Sequence, residues 1–341
     1  MKRLGFLWDR IVDYDNIALA HQRARRGKSY QRQIKAVEAN LHEHIVDLMV
    51  ALERGEYATS EYQERDIFER GKQRLIYRLP YWPDRVVHHA IAQVLSPIWR
   101  GSMIRHTYAS IPGRGIHDAA RTVRSQLRTD PDNTTYALKM DVRKFYPSIP
   151  HDGLLDVLGR QIKDPRVMGL LGEIVRSIDV TAPGVGVPIG NYLSQWFANV
   201  YLGPTDHRFK QVYGVKYYHR YCDDIVALGP DKARLHEIRS DFGAWLSEKY
   251  QLDLKGNWQV FPVADRGIDF VGYRMFPEKT LLRKGTKKRM AAKLSMPAIE
   301  RSPGKYAAAL RAAPAYDGWT SFGSTHDLRE KILIPALELK A

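Results

Sequence analysis

The stretch YHRYCDDIVAL (residues 218–228) sets two adjacent carboxylates, Asp223 and Asp224, between apolar neighbours. Side-by-side aspartates repel each other, so both stay ionised only beside a cation or in the solvent of a polar turn. Apolar residues around a polar centre are the pattern of a hairpin. Upstream, TYALKMDV (135–142) reads as a strand. Alternation sends Leu138, Met140 and Val142 to one face and Lys139 and Asp141 to the other. Asp141 is then a carboxylate on a strand whose opposite face is core. If the two segments neighbour each other in one sheet, three carboxylates converge. Such a set could hold two divalent cations about 4 Å apart, one activating an attacking oxygen and the other stabilising a leaving one. Oxygen-only ligands favour magnesium over zinc. The bare Tyr-x-Asp-Asp is weak support, because a lone Asp-Asp is more often a solvated turn. The ordered combination carries the weight: a strand with Asp141, the glycine-rich GVGVPIG (184–190) before a helix, then the pair.

Composition narrows the class. The 341 residues are 44% hydrophobic and 27% charged, enough for two or three globular domains. No run approaches the roughly 20 apolar residues of a membrane span. The opening MKRLGFLWDR lacks the apolar core of a secretory signal. The single cysteine, Cys222, excludes an internal disulfide and a cysteine-based zinc site, and a reducing, cytoplasmic setting is expected. Lys and Arg exceed Asp and Glu by 53 to 38, a net charge of +15. Residues 22–35, QRARRGKSYQRQIK, hold six cations and no acid, and residues 281–341 hold 12 cations against 5 acids. A solvated basic surface is the plain alternative, but such concentrations favour a nucleic-acid partner.

Periodicity predicts one amphipathic helix over 31–53, a hairpin around Gly71, a helix over 83–99 stopped by Pro97, and another near 116–128. A helix carrying Leu193, Trp196, Phe197, Val200 and Tyr201 on one stripe follows, then the Asp-Asp hairpin, a helix near 231–250 and a strand near 257–263. This succession predicts an α+β unit of the split βαβ kind. The last ~65 residues read as helical and basic. The clusters His42–His44 and His88–His89 are spaced wrongly for one metal on a helix.

The motifs LKMDVRKFYPSI (138–149), GVPIGNYLSQWFANVYL (186–202), RYCDDIVAL (220–228) and IDFVGYRMF (268–276) resemble successive palm motifs of reverse transcriptases. GKQRLIYRLPYWPDRVVHHAI (71–91) and YASIPGRGIHDA (108–119) resemble the fingers motifs, so the likeness covers roughly residues 60–290. Most bacterial relatives carry Gln-Gly and Ser-Pro in the glycine-rich motif. Here Ile189-Gly190 and Ser194-Gln195 stand instead, which resembles reverse transcriptases of diversity-generating retroelements. NWQVFPVADRGIDFVGY (257–273) resembles that branch too.

The resemblance implies a right-hand polymerase, with N-terminal helices and fingers over 1–135, a palm over 136–278 with a fingers insertion about 150–185, and a helical thumb over 279–341. It implies that Asp141 and Asp223 ligate two magnesium ions, with manganese as a substitute. Asp224 would be an auxiliary acid and the Val142 carbonyl a further ligand. Lys72 and Arg74 would hold the triphosphate. Tyr146 would lie beneath the sugar and exclude a 2′-hydroxyl, although it could instead be a core aromatic, with Phe145 the better core candidate. Lys255 would serve as a proton donor near pyrophosphate, or is a surface lysine. Phe270, Val271 and Gly272 would form the primer grip, and Arg114 and Trp319 would touch template or duplex. Relatives commonly have an arginine where Ile111 stands, which leaves that role open. Ile189 with Gly190 would face the incoming nucleotide, and loss of the glutamine amide there would relax base selection, unless Ile189 only fills space. The implied partners are dNTPs, a template-repeat RNA, its RNA–cDNA duplex, and a basic oligomeric accessory variability protein. No ribonuclease H, integrase or endonuclease domain is expected. Alternatives are another bacterial reverse transcriptase (retron, group II intron or antiphage type) and a non-catalytic RNA-binding scaffold. An RNA-copying RNA polymerase would share the palm, with Tyr146 against it.

Overall fold

The computed structural model describes residues 3–69, 71–300 and 302–338, with only the backbone of Glu69, Lys72, Pro297 and Pro303. The chain divides into two compact units, each assembled from three segments.

The first unit comprises Met1–Arg105, Val142–His207 and Gly243–Asp253. Its strands β1 (Gln63–Glu69) and β2 (Lys72–Arg78) form the expected hairpin, turning at Gly71 with φ +76°. The apolar period over 31–53 yields two helices, Arg32–Ala39 and Leu41–Glu53, rather than one. Asn40 breaks it by leaving helical geometry (φ −134°, ψ 44°), while Ile34, Val37, Ile45, Leu48 and Leu52 are still buried. The helix expected from Pro83 starts at Val86 and runs to Ser102, after a wide turn over Tyr81–Arg85. Pro97 therefore does not stop it. The proline forgoes one backbone bond, and burial of Val94, Leu95 and Trp99 outweighs that loss. Trp99 meets Trp196 and Phe197 at ring-centroid separations of 5.9 and 6.2 Å. Both partners lie on the helix Tyr192–Tyr201, whose predicted apolar stripe is buried throughout.

The second unit comprises His106–Asp141, Arg208–Phe242 and Leu254–Ala341. Strands β3 (Thr107–Tyr108), β4 (Tyr136–Asp141), β5 (Tyr217–Tyr221), β6 (Asp224–Gly229) and β7 (Gln259–Pro262) form one sheet in the order β3-β5-β6-β4-β7. Both β6 and β7 are antiparallel to β4, so the strand with Asp141 is interior, flanked on one side by the hairpin strand with Asp224 and on the other by the edge strand β7. Register pairs Ala137 with Leu228, Lys139 with Val226 and Asp141 with Asp224. Directly opposed residues share a face. That face is therefore apolar at one end, where Ala137, Val226 and Leu228 bury with Ala119, Val123 and Leu127 of the helix Ile116–Thr129, and acidic at the other. Leu138 and Met140 on the reverse face are buried as well, so β4 is core on its reverse face along its length and on the other face at Ala137, with half-buried Lys139 next to Asp141. Full burial of each such aliphatic side chain contributes about 1.5–3 kcal/mol. The sheet was legible except for β3, a two-residue edge strand. IDFVGYRMF forms a separate sheet, with β8 (Ile268–Phe270), β9 (Tyr273–Met275) and β10 (Thr280–Leu282) in the order β10-β9-β8. The remaining C-terminal elements are helices, including Lys284–Leu294 and Pro303–Thr320.

Candidate active site

Asp141 closes β4 and Asp224 opens β6 directly across from it. Asp223 is not strand-borne. It sits with Cys222 in the two-residue loop between Tyr221 and Asp224, and Cys222 takes φ +54°. A positive φ at a non-glycine residue is strained and persists only where its surroundings enforce it. One enforcing group is Arg220, fully buried, whose guanidinium donates to the Cys222 carbonyl at 3.0 Å. The sequence reading passed over Arg220, although an arginine in an apolar strand was the available signal.

Burial, and then the charge of Asp141, push the Asp223 carboxyl up to about 7. Asp141 contacts Lys255 through its carboxylate, and its backbone carbonyl accepts from the Lys255 N–H at 2.8 Å. Lys255 is thus fixed beside the carboxylate at both ends of its residue. Asp224 is bound by Lys139 Nζ at 2.6 Å, and Lys139 also lies over the Phe270 ring at 5.6 Å. Burial raises the Asp224 pKa, against the opposing pull of Lys139. The expected three-carboxylate convergence is therefore a pair, Asp141 with Asp223, plus an aspartate drawn to a lysine two residues before Asp141 on the same face. Among the described residues no three His, Cys, Asp or Glu side chains form a group placed to hold a metal ion. The pair itself, two hard oxygen donors forced together with one carboxyl raised by the other's charge, is a donor set that suits a divalent cation. A cavity of about 180 Å³ opens beside Asp141, lined also by Lys139, Asn257, Gln259, Arg266 and Arg274.

In the same unit, Phe270 is buried and Val271 and Gly272 form the loop between β8 and β9, both with positive φ (+46° and +89°). A Cβ on Gly272 would stand 2.6 Å from the Trp319 ring. Tyr273 donates to the Trp319 carbonyl at 2.9 Å, and Asp269 accepts from Arg283 at 2.6 Å. The loop and the helix carrying Trp319 are thus one assembly. A basic groove of about 740 Å³ runs beside it, past Arg274, Arg283, Lys284 and Lys287. Arg114 is half-buried in a loop with positive φ at Ala109, Ser110 and Gly113, and the Ile111 side chain in that loop is buried. The apolar side chain there joins the core.

The remaining candidates belong to the first unit. Val142 is buried, as is Phe145, whereas Tyr146 is half-exposed in the short turn Tyr146–Ser148 and its carbonyl accepts from Val187 at 2.9 Å. Ile189 is half-buried and its carbonyl accepts from the Tyr77 N–H at 3.0 Å. Gly190 takes φ +118°, and a Cβ there would meet the Tyr77 carbonyl at 2.9 Å, so only glycine fits. Arg74 is exposed on β2 opposite Ile67. The Lys72 side chain lies outside the described residues. Among those residues no helix is long and apolar enough to cross a membrane.

Solved structures of telomerase from Candida tropicalis share this architecture. The apo form matches 73% of this chain and 52% of its own at a TM-score of 0.52 and 12% identity. The form in complex with the TWJ fragment of telomeric RNA matches 86% of this chain and 56% of its own at 0.50 and 14% identity. The fold is that of a right-hand polymerase. By sequence, Protein YkfC of Escherichia coli K12 is 26% identical over 241 residues, 59% of this chain and 63% of that protein. Nuclear intron maturase 1, mitochondrial, of Arabidopsis thaliana is 28% identical over 112 residues, 32% of this chain and 15% of that protein. The matches thus span less than two thirds of either relative. The family model described as reverse transcriptase (RNA-dependent DNA polymerase) matches residues 62–275, which contain the palm and fingers motifs quoted above except the final Phe276 of IDFVGYRMF, and the chain belongs to that family.

Proposed function

We propose that the protein is an RNA-directed DNA polymerase that copies a template-repeat RNA into cDNA, with relaxed base selection at template adenines, for targeted gene diversification. The observation that carries the polymerase reading is the Asp141–Asp223 pair at the end of a buried sheet, with Lys255 bound to Asp141. In this reading the two aspartates hold divalent cations, magnesium or in its place manganese, which supply charge neutralisation at the transferring phosphoryl group. The Val142 carbonyl is a further ligand. Asp224, held by Lys139, sets the position of the hairpin and tunes the local charge. Lys255 stands where a proton could be delivered to departing pyrophosphate. Lys72 and Arg74 offset triphosphate charge, Tyr146 excludes a 2′-hydroxyl, Phe270 to Gly272 grip the primer, and Arg114 and Trp319 face template or duplex. Domain boundaries at about 135 and 278, a basic accessory protein and a cytoplasmic location complete the proposal.

The diversification reading rests on Ile189. Its side chain cannot make the amide contact that glutamine offers. Sequencing of products made on an RNA template tests it. Errors concentrated opposite adenines, and reduced in Ile189→Gln, are expected. Uniform, low error in both proteins would leave a faithful reverse transcriptase of retron, group II intron or antiphage type.

A further inference from the structure

Two lysines reach the carboxylates of the candidate active site, and they are held in different ways. Lys139 projects from β4 itself, on the same face as Asp141. Its ammonium binds Asp224 at 2.6 Å and lies 5.6 Å from the centroid of the Phe270 ring. A strand fixes the start of this side chain, and a carboxylate and an aromatic face fix its end. Lys139 is a permanent counter-ion.

Lys255 stands in the loop between the helix Lys232–Tyr250 and β7. Its backbone N–H donates to the Asp141 carbonyl at 2.8 Å, and its Nζ contacts Asp141 Oδ1. The Lys255 side chain is 39% exposed and that of Asp141 34%, so the contact borders solvent. Main chain is anchored to main chain, while a flexible four-carbon stem carries the charge to the carboxylate. Among the described residues Lys255 is the one cation that forms an ion pair with Asp141. The ammonium therefore stands on one of the two carboxylates that a divalent cation would need. Two positive groups a few ångströms apart repel strongly in such a site.

We propose that Lys255 is a built-in competitor for the cation site. Its ammonium and a divalent cation occupy Asp141 in exclusion of one another, and cation entry releases the ammonium on its backbone tether. The exchange keeps the carboxylate neutralised until the cation takes over that charge, so the site is spared an unpaired anion. This role concerns cation binding, and it is separate from proton delivery. The inference rests on the reading of Asp141 and Asp223 as cation ligands.

The test is a manganese titration of the full chain without nucleotide or nucleic acid, with free manganese followed by electron paramagnetic resonance. Asp223→Asn measures binding elsewhere on the chain. Lys255→Met is expected to bind the cation about tenfold more tightly than wild type, because the rival and its repulsion are both gone. Lys255→Arg keeps the charge and is expected to stay near wild type. Melting curves give a second readout. In EDTA, Lys255→Met is expected to melt below wild type, since Asp141 has lost its counter-ion, and excess magnesium should raise its melting temperature by more than it raises that of wild type. Should Lys255→Met not fold, Lys255→Gln is neutral as well and carries the same expectations. Asp223-dependent manganese binding that is unchanged or weaker in the folded neutral variant would overturn the competition and leave the cation reading standing. Equal binding by wild type, Asp223→Asn and the neutral variant would overturn both.

Discussion

Asp223 is held in a state that costs stability at neutral pH. Its carboxyl titrates at about 7 in the folded chain against 3.8 ordinarily, so between those values the folded state binds the extra proton. Stability from this group is therefore present below about pH 4 and is lost as pH rises through about 7. Asp223→Asn should raise the metal-free melting temperature at pH 8, by on the order of 1–3 kcal/mol in stability, while abolishing extension. A melting curve of the variant at or below the wild-type one at pH 8 would contradict this. Lys139 is the counterpart case. Lys139→Met leaves half-buried Asp224 without its 2.6 Å partner and should cost about 1–3 kcal/mol, read by denaturant midpoint. Asp141 and the Asp-Asp pair were legible because strand alternation and the hairpin pattern each constrain one face. The contacts of Lys139 and Lys255 were not. They depend on register, and no local pattern says which lysine a carboxylate meets across a sheet.

At the scale of elements, the glycine turn between β8 and β9 is tightly constrained. Gly272 combines φ +89° with a Trp319 ring where a Cβ would go. Gly272→Ala is expected to destabilise by about 2–4 kcal/mol. Adding Trp319→Ala should recover part of that loss, because the steric share disappears while the backbone strain remains. A double-mutant cycle on unfolding free energies measures this coupling, and strict additivity would mean that Trp319 does not press on the turn. The elements themselves were legible where a strong period ran uninterrupted, as in the stripe from Leu193 to Tyr201. They were misread where one residue overrode the period. Asn40 split a helix whose apolar spacing never broke, and Pro97 failed to end one because its neighbours are buried. Short strands such as β3 take their existence from a parallel partner 113 residues away, Thr107 with Arg220, and leave almost no trace in local sequence.

For the molecule as a whole, charge and acid sensitivity follow from the same reasoning. With a net charge of +15, RNA affinity should fall by orders of magnitude between about 50 and 200 mM salt, measurable by fluorescence anisotropy. His88 is buried and held down to about 3, so it stays neutral in the folded chain while the unfolded chain protonates near 6.5. Its contribution is present above about 6.5 and is lost as pH falls toward 3, which should appear as early acid unfolding by circular dichroism. The central claim is that Asp141 and Asp223 serve RNA-templated DNA synthesis. Its most direct test is primer extension on an RNA template with magnesium and dNTPs, with partner RNA and accessory protein supplied, comparing wild type with Asp223→Asn. The expected result is DNA product from wild type and at least a thousandfold less from the variant. Equal product from both, or none from wild type, would contradict the account.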